Sequence, residues 1–110
     1  MAIQRAANLS DLAGDTIVGV DLDGVQVALY LVDGRPYATS DLCTHEECPL
    51  SEEGEVVGEE VHCLCHGSKF NIRTGEVMDP PATEPLPTYA IEVRGQELFV
   101  DPAKPASANP

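Results

Sequence analysis

Two short motifs, Cys43-Thr44-His45 and Cys63-Leu64-Cys65-His66, carry five side chains with metal-binding chemistry, of which Cys43, His45, Cys63 and His66 make a set of two Cys and two His. Each motif offers a thiol and an imidazole, spaced C-x-H in the first and, from Cys63 to His66, C-x-x-H in the second. A tetrahedral zinc ion accepts two Cys and two His. A two-iron, two-sulfide cluster takes the same set, with two thiolates on one iron and two imidazoles on the other. Zinc modules commonly draw their cysteines from one turn and their histidines from another. Here each turn is mixed, which suits two metal atoms clamped between two loops. His62 precedes Cys63 and points to the opposite side of an extended chain, so it is read as a non-ligand.

Such loops need a scaffold, and the 110 residues are enough for one domain, read as 1–100. Nine Gly and nine Pro punctuate the chain, and no long apolar period of 3.6 is present. Short β-branched runs between turn signals therefore predict an all-β domain. Residues 1–7 can form an edge strand, and 8–14 a turn or single helical turn with Ser10 as its N-cap. Strands are predicted over 16–20, 25–32, 35–39, 89–93 and 98–100, with Asp33-Gly34 as the strongest hairpin signal. A short hairpin around Gly58 joins 55–57 to 61–62, and 69–72 leads out of the second motif. All four Cys and all three His fall between Asp41 and Pro85, a stretch read as a small lobe inserted into an antiparallel sheet scaffold, sandwich- or barrel-like. Residues 101–110 read as a frayed, flexible tail.

Six basic residues against 19 acidic ones give a net charge of −13. Such a chain does not seek nucleic acid or anionic lipid; it is steered toward basic patches on partner proteins. Glu46, Glu47, Glu52, Glu53, Glu55, Glu59 and Glu60 lie between the two motifs with no Lys or Arg among them. They form either a solvated hairpin surface or a docking face. No apolar stretch approaches the roughly 20 residues of a membrane span, and Met1–Asn8 has no apolar signal core. The expectation is a cytoplasmic monomer. No G-x-G-x-x-G motif and no length for a substrate domain point to an enzyme in its own right.

The residues flanking the ligands favour iron over zinc. Cys43-Thr44-His45 opening one loop, and Cys65-His66-Gly67-Ser68-Lys69-Phe70-Asn71 closing the other, resemble the cluster loops of the Rieske family. The resemblance covers essentially 3–100 and is strongest over 41–82. It implies the Rieske fold and one [2Fe–2S] cluster per chain, with Cys43 and Cys63 on one iron and His45 and His66 on the other. Two neutral imidazoles in place of two thiolates raise the potential from about −400 mV to roughly −150 to +300 mV. Length and loop spacing resemble the ferredoxins of bacterial aromatic ring-hydroxylating dioxygenases. That branch implies a one-electron carrier between an NAD(P)H-dependent flavin reductase and a terminal oxygenase. A Rieske-fold subunit of another oxidoreductase, or a structural zinc module, are the alternatives.

One departure stands out. Cys48 and Cys65 match the positions where quinol-oxidising Rieske proteins place a disulfide, and most dioxygenase ferredoxins lack the pair. The resemblance implies a Cys48–Cys65 bridge. It also implies that Ser68 donates a hydrogen bond to a cluster sulfur, and that Pro81, after Pro80, belongs to a loop covering the cluster. The same respiratory branch has a tyrosine where this chain has Phe70. With one of two hydroxyl donors present, a potential intermediate between the low and high Rieske classes is expected.

Overall fold

The computed structural model describes residues 3–12, 16–42, 49–64, 67–79 and 85–105. In chain order these form β1 (Gln4–Asn8), a 3₁₀ turn (Leu9–Leu12), β2 (Val18–Leu22), β3 (Val25–Val32), β4 (Arg35–Ser40) and a one-turn helix α1 (Leu50–Glu53). There follow β5 (Gly54–Val57), β6 (Glu60–Cys63), β7 (Lys69–Asn71), β8 (Val77–Asp79), β9 (Thr88–Arg94) and β10 (Glu97–Pro105). No helix among the described residues is long and apolar enough to cross a membrane.

Tight turns set the register. Asp23-Gly24 and Asp33-Gly34 hold φ of 55° and 88°, and of 51° and 78°. Two successive left-handed residues give the two-residue turn whose twist matches the strands it joins. These turns link β2 to β3 and β3 to β4. The larger sheet is antiparallel with order β1-β10-β9-β4-β3-β2, and its outer strands β1 and β2 approach one another, so it nearly closes. The second sheet is antiparallel with order β5-β6-β7-β8. The all-β expectation, with a sheet scaffold and a smaller second unit, is borne out.

Strand β3 connects the two cores. Val27 and Leu29 face a cluster with Leu12, Leu22, Leu98 and Val100 inside the large sheet. Ala28, Tyr30 and Val32 face a second cluster with Leu50, Val61, Cys63, Phe70, Ile72 and Leu86. Alternate side chains of a strand point to opposite faces. A strand covered on both faces therefore reads as a nearly unbroken apolar run, as Val25–Val32 does. Tyr30 is fully buried, and its hydroxyl pairs with Thr39 Oγ1 at 2.8 Å.

Two local expectations are corrected. Ser10 lies inside the 3₁₀ turn and does not cap it; the Asp11 carboxylate accepts the Asn8 N–H at 3.0 Å instead. A carboxylate in the first turn reaches back to the unpaired N–H better than the shorter serine hydroxyl. The last strand runs to Pro105, five residues into the expected tail 101–110. Pairing with β1 ends at Val100, and pairing with β9 shifts between Asp101 and Pro105. Beyond Val100 the strand has one neighbour among the described residues and an irregularity, the setting in which a sheet accepts proline.

Candidate metal centre

Cys63 is the last residue of β6 and is fully buried in the core it shares with Leu50, Phe70 and Leu86. Its N–H donates to the Ser68 carbonyl at 2.7 Å, and its carbonyl accepts the Gly67 N–H at 2.8 Å. The second motif is thus closed at its base by two backbone hydrogen bonds, with Gly67 at φ 85° making the return. Ser68 is fully buried as well. Leu64, between these buried residues, is 61% exposed. His62 alternates with Val61 and Cys63 along β6, and its Nε2 lies 3.1 Å from Glu60 Oε1.

The first motif is closed by a bridge between Leu42 and Pro49 and by Asp41. The Asp41 carbonyl accepts the Leu50 N–H at 2.6 Å. Its carboxylate accepts the Ser51 N–H and the Ser51 hydroxyl, each at 2.7 Å. Asp41 is 4% exposed, and its own N–H donates to the Gln26 carbonyl at 2.9 Å, which fixes it to β3. Burial pushes its carboxyl above the ordinary carboxylate range, and the bonds from Ser51 pull it part of the way back. Gly19 of β2 presses on the pair: a Cβ there would sit 2.5 Å from Ser51 Oγ and 3.0 Å from Asp41 Oδ2.

A third loop, following β8, is anchored in the same region. Leu86 N–H donates to the Gly75 carbonyl at 2.7 Å, and Ser40 N–H donates to the Pro87 carbonyl at 2.8 Å. Gly75 has φ 81°, and a Cβ there would collide with the Leu86 carbonyl oxygen. The three loop bases are tied to each other. Ser40–Pro87 joins the first to the third, Leu64 N–H to the Glu53 carbonyl (2.8 Å) joins the second to the first, and Lys69 pairs with Asp79 between the second and third.

Of the site residues expected from sequence, Cys63 and Ser68 are placed, both buried, at the base of the second loop. Cys43, His45, Cys48, Cys65, His66 and Pro81 lie outside the described residues, as do Glu46, Glu47 and Pro80. Among the described residues no cluster of three or more His, Cys, Asp or Glu gathers into a metal site. The donor set still fits a two-iron cluster: Cys63 stands on the core side of a loop closed on both strands, where a thiolate is shielded from water. The acidic stretch is confirmed as surface at Glu52, Glu53, Glu55 and Glu59, and Arg73 from beyond β7 reaches Glu59 at 3.4 Å. Sequence reasoning passed over Asp41, Ser51 and Gly19. A lone glycine within a strand pattern, as at Gly19, was the available signal of a close approach.

Residues 2–90 match the family described as the Rieske [2Fe-2S] domain. The biphenyl dioxygenase ferredoxin subunit of Pseudomonas sp. (strain KKS102) is 40% identical over 101 residues, covering 92% of this chain and 93% of that protein. The ferredoxin component of the p-cumate 2,3-dioxygenase system of Pseudomonas putida is 41% identical over 92 residues, covering 83% and 78%. Among solved structures, a chain of the complex of reduced oxygenase and oxidised ferredoxin in carbazole 1,9a-dioxygenase superposes with a TM-score of 0.86. It is 36% identical and covers 93% of this chain and 94% of that one.

Proposed function

The chain belongs to the Rieske [2Fe–2S] domain family, and on that premise we propose that it is the ferredoxin component of an aromatic ring-hydroxylating dioxygenase system. It takes electrons one at a time from an NAD(P)H-dependent flavin reductase and delivers them to a terminal oxygenase. The observation that carries this reading is full-length similarity: relatives at 40% and 41% identity, both named as dioxygenase ferredoxins, are matched over most of their length. The protein is an electron-transfer component and not the oxygenase itself. A cytoplasmic monomer is part of the proposal, in keeping with a reductase that draws on NAD(P)H.

Cys43 and Cys63 would hold one iron through their thiolates, and His45 and His66 the other through ring nitrogens. A Rieske cluster, once bound, accepts and releases a single electron at a potential raised by its two neutral imidazole ligands. The chain's own contribution is shielding and fixed geometry. The core around Cys63 excludes water from the thiolate side, while the ties between loop bases hold the ligands against rearrangement when the charge changes. The test is direct. Purified protein should be red-brown, carry two irons per chain and no zinc, show a reduced-state EPR signal averaging below g of about 2, and reduce a dioxygenase ferredoxin's oxygenase partner. A colourless protein with one zinc, reproduced anaerobically, would defeat the proposal.

Two further expectations concern the cysteine and serine neighbours. We infer a Cys48–Cys65 disulfide between the ligand loops, worth about 3 kcal/mol for a loop of this size. Alkylation without reduction, followed by mass spectrometry, should leave both cysteines unmodified; modified Cys48 and Cys65 would exclude the bridge. A Ser68→Ala variant should have a lower midpoint potential, because a hydrogen-bond donor to a cluster sulfur stabilises the reduced, more negative state. The buried position of Ser68 supports that role. An unchanged potential in a protein with full iron content would mean that the hydroxyl serves the fold alone.

A further inference from the structure

Helix α1 comprises four residues, Leu50–Glu53, far below the length at which a helix holds itself together. Its place must come from outside. Pro49 provides no side-chain cap, yet each N–H of the turn has a partner. Glu52 and Glu53 donate to the Pro49 carbonyl at 3.1 and 2.8 Å. Leu50 and Ser51 donate to the carbonyl and the carboxylate of Asp41. At the other end, the Glu53 carbonyl accepts the N–H of Leu64, the residue after Cys63. Leu50 meanwhile enters the core that contains Cys63. The turn therefore spans from the base of the first ligand loop to the base of the second.

We propose that Asp41, by clasping Ser51, is a positioning residue that seats α1 as a strut and so fixes the separation of the two metal-ligand loops. The inference rests on the ligand assignment made under the proposed function. Two features make the clasp rigid. Both carboxylate oxygens are engaged by one residue, so neither Asp41 nor Ser51 can rotate without losing a partly buried hydrogen bond. Gly19 also closes the space behind Ser51 Oγ, where even a methyl group would not fit beside the hydroxyl. Removal of the Asp41 carboxylate leaves the Ser51 N–H and hydroxyl without acceptors in a confined site. The turn then shifts to satisfy them, and the loops at its two ends move relative to one another. An asparagine preserves the arrangement, with its amide oxygen accepting the Ser51 N–H and its amide nitrogen donating to Ser51 Oγ.

The experiment compares the iron-loaded parent with Asp41→Ala, Asp41→Asn and Ser51→Ala. Val100→Ala serves as a control in the core of the large sheet, away from the Cys63 cluster. The readouts are the reduced-state EPR line shape, the midpoint potential, and the half-life of the visible chromophore under a chelator. Asp41→Ala should broaden the EPR signal, move the potential and shorten the half-life by about tenfold, the scale seen when support behind metal ligands is removed. Ser51→Ala should shift the same readouts in the same direction but less, and Asp41→Asn should stay within about twofold of the parent. An Asp41→Ala protein with parental line shape and half-life would overturn the proposal, as would a Val100→Ala control that reproduces its changes at equal loss of thermal stability. Equal damage from Asn and Ala would also overturn it, since the clasp would then not act through hydrogen bonds. If Asp41→Ala does not fold, Ser51→Ala decides by the same criteria. A parent lacking the two-iron signal would instead defeat the ligand assignment, a distinct outcome.

Discussion

A Cys63→Ala protein is expected to be folded but colourless, with iron near zero and no reduced-state EPR signal. The reasoning separates the side chain from the backbone around it. The hydrogen bonds that close the second loop, from Cys63 N–H to the Ser68 carbonyl and from Gly67 N–H to the Cys63 carbonyl, are main-chain bonds and survive the substitution. The pairing of Cys63 with Gly54 across β5 and β6 survives too. Cysteine to alanine removes one heavy atom from the core, costing about 1 kcal/mol. Removal of a thiolate, by contrast, leaves one iron with a single protein sulfur where the cluster needs two. Iron analysis and absorption would record the loss of metal, and circular dichroism the retained fold. A folded variant with full iron and an unaltered spectrum would show that Cys63 is not a ligand.

The motifs proposed to hold the metal stand out in the sequence because ligands of one metal centre must be close, and two residues apart in a turn is the cheapest way to be close. The hairpins were legible for a similar reason. Asp33-Gly34 announces a turn that only left-handed residues make, and both residues hold positive φ. The long apolar run of β3 could be placed as a strand, but its division between two cores could not, since alternation disappears when both faces are covered. Strand β8, three residues long, and α1, four, carry no periodicity at all. Their conformation is dictated by partners distant in sequence, Lys69 and Phe70 for the one and Asp41 and Leu64 for the other. Gly19 is the sharpest case. Its φ is not in the left-handed region, and its identity follows from Ser51 and Asp41 lying against it; a lone glycine in a strand pattern signals a close approach but not which residues make it.

The second large effect is expected at Phe70. Phe70→Ala should lower unfolding free energy by about 3–5 kcal/mol, the usual cost of emptying a buried phenylalanine site, out of the roughly 5–15 kcal/mol a domain possesses. Leu98→Ala in the other core should cost about 2–5 kcal/mol, so stability alone does not separate the two. Metal retention should. Phe70 is fully buried and shares its core with Leu50, Cys63 and Leu86, one residue from the base of each of the three loops. A cavity there loosens all three bases at once, whereas a cavity beside Leu98 lies among Leu12, Val27 and Val100, inside the large sheet. Local opening follows the contacts of the segment that opens, and it can be much cheaper than global unfolding. At matched denaturation midpoints, Phe70→Ala should therefore lose its chromophore to a chelator faster than Leu98→Ala. Equal rates would mean that metal escapes only through global unfolding and that the two cores act as one cooperative unit.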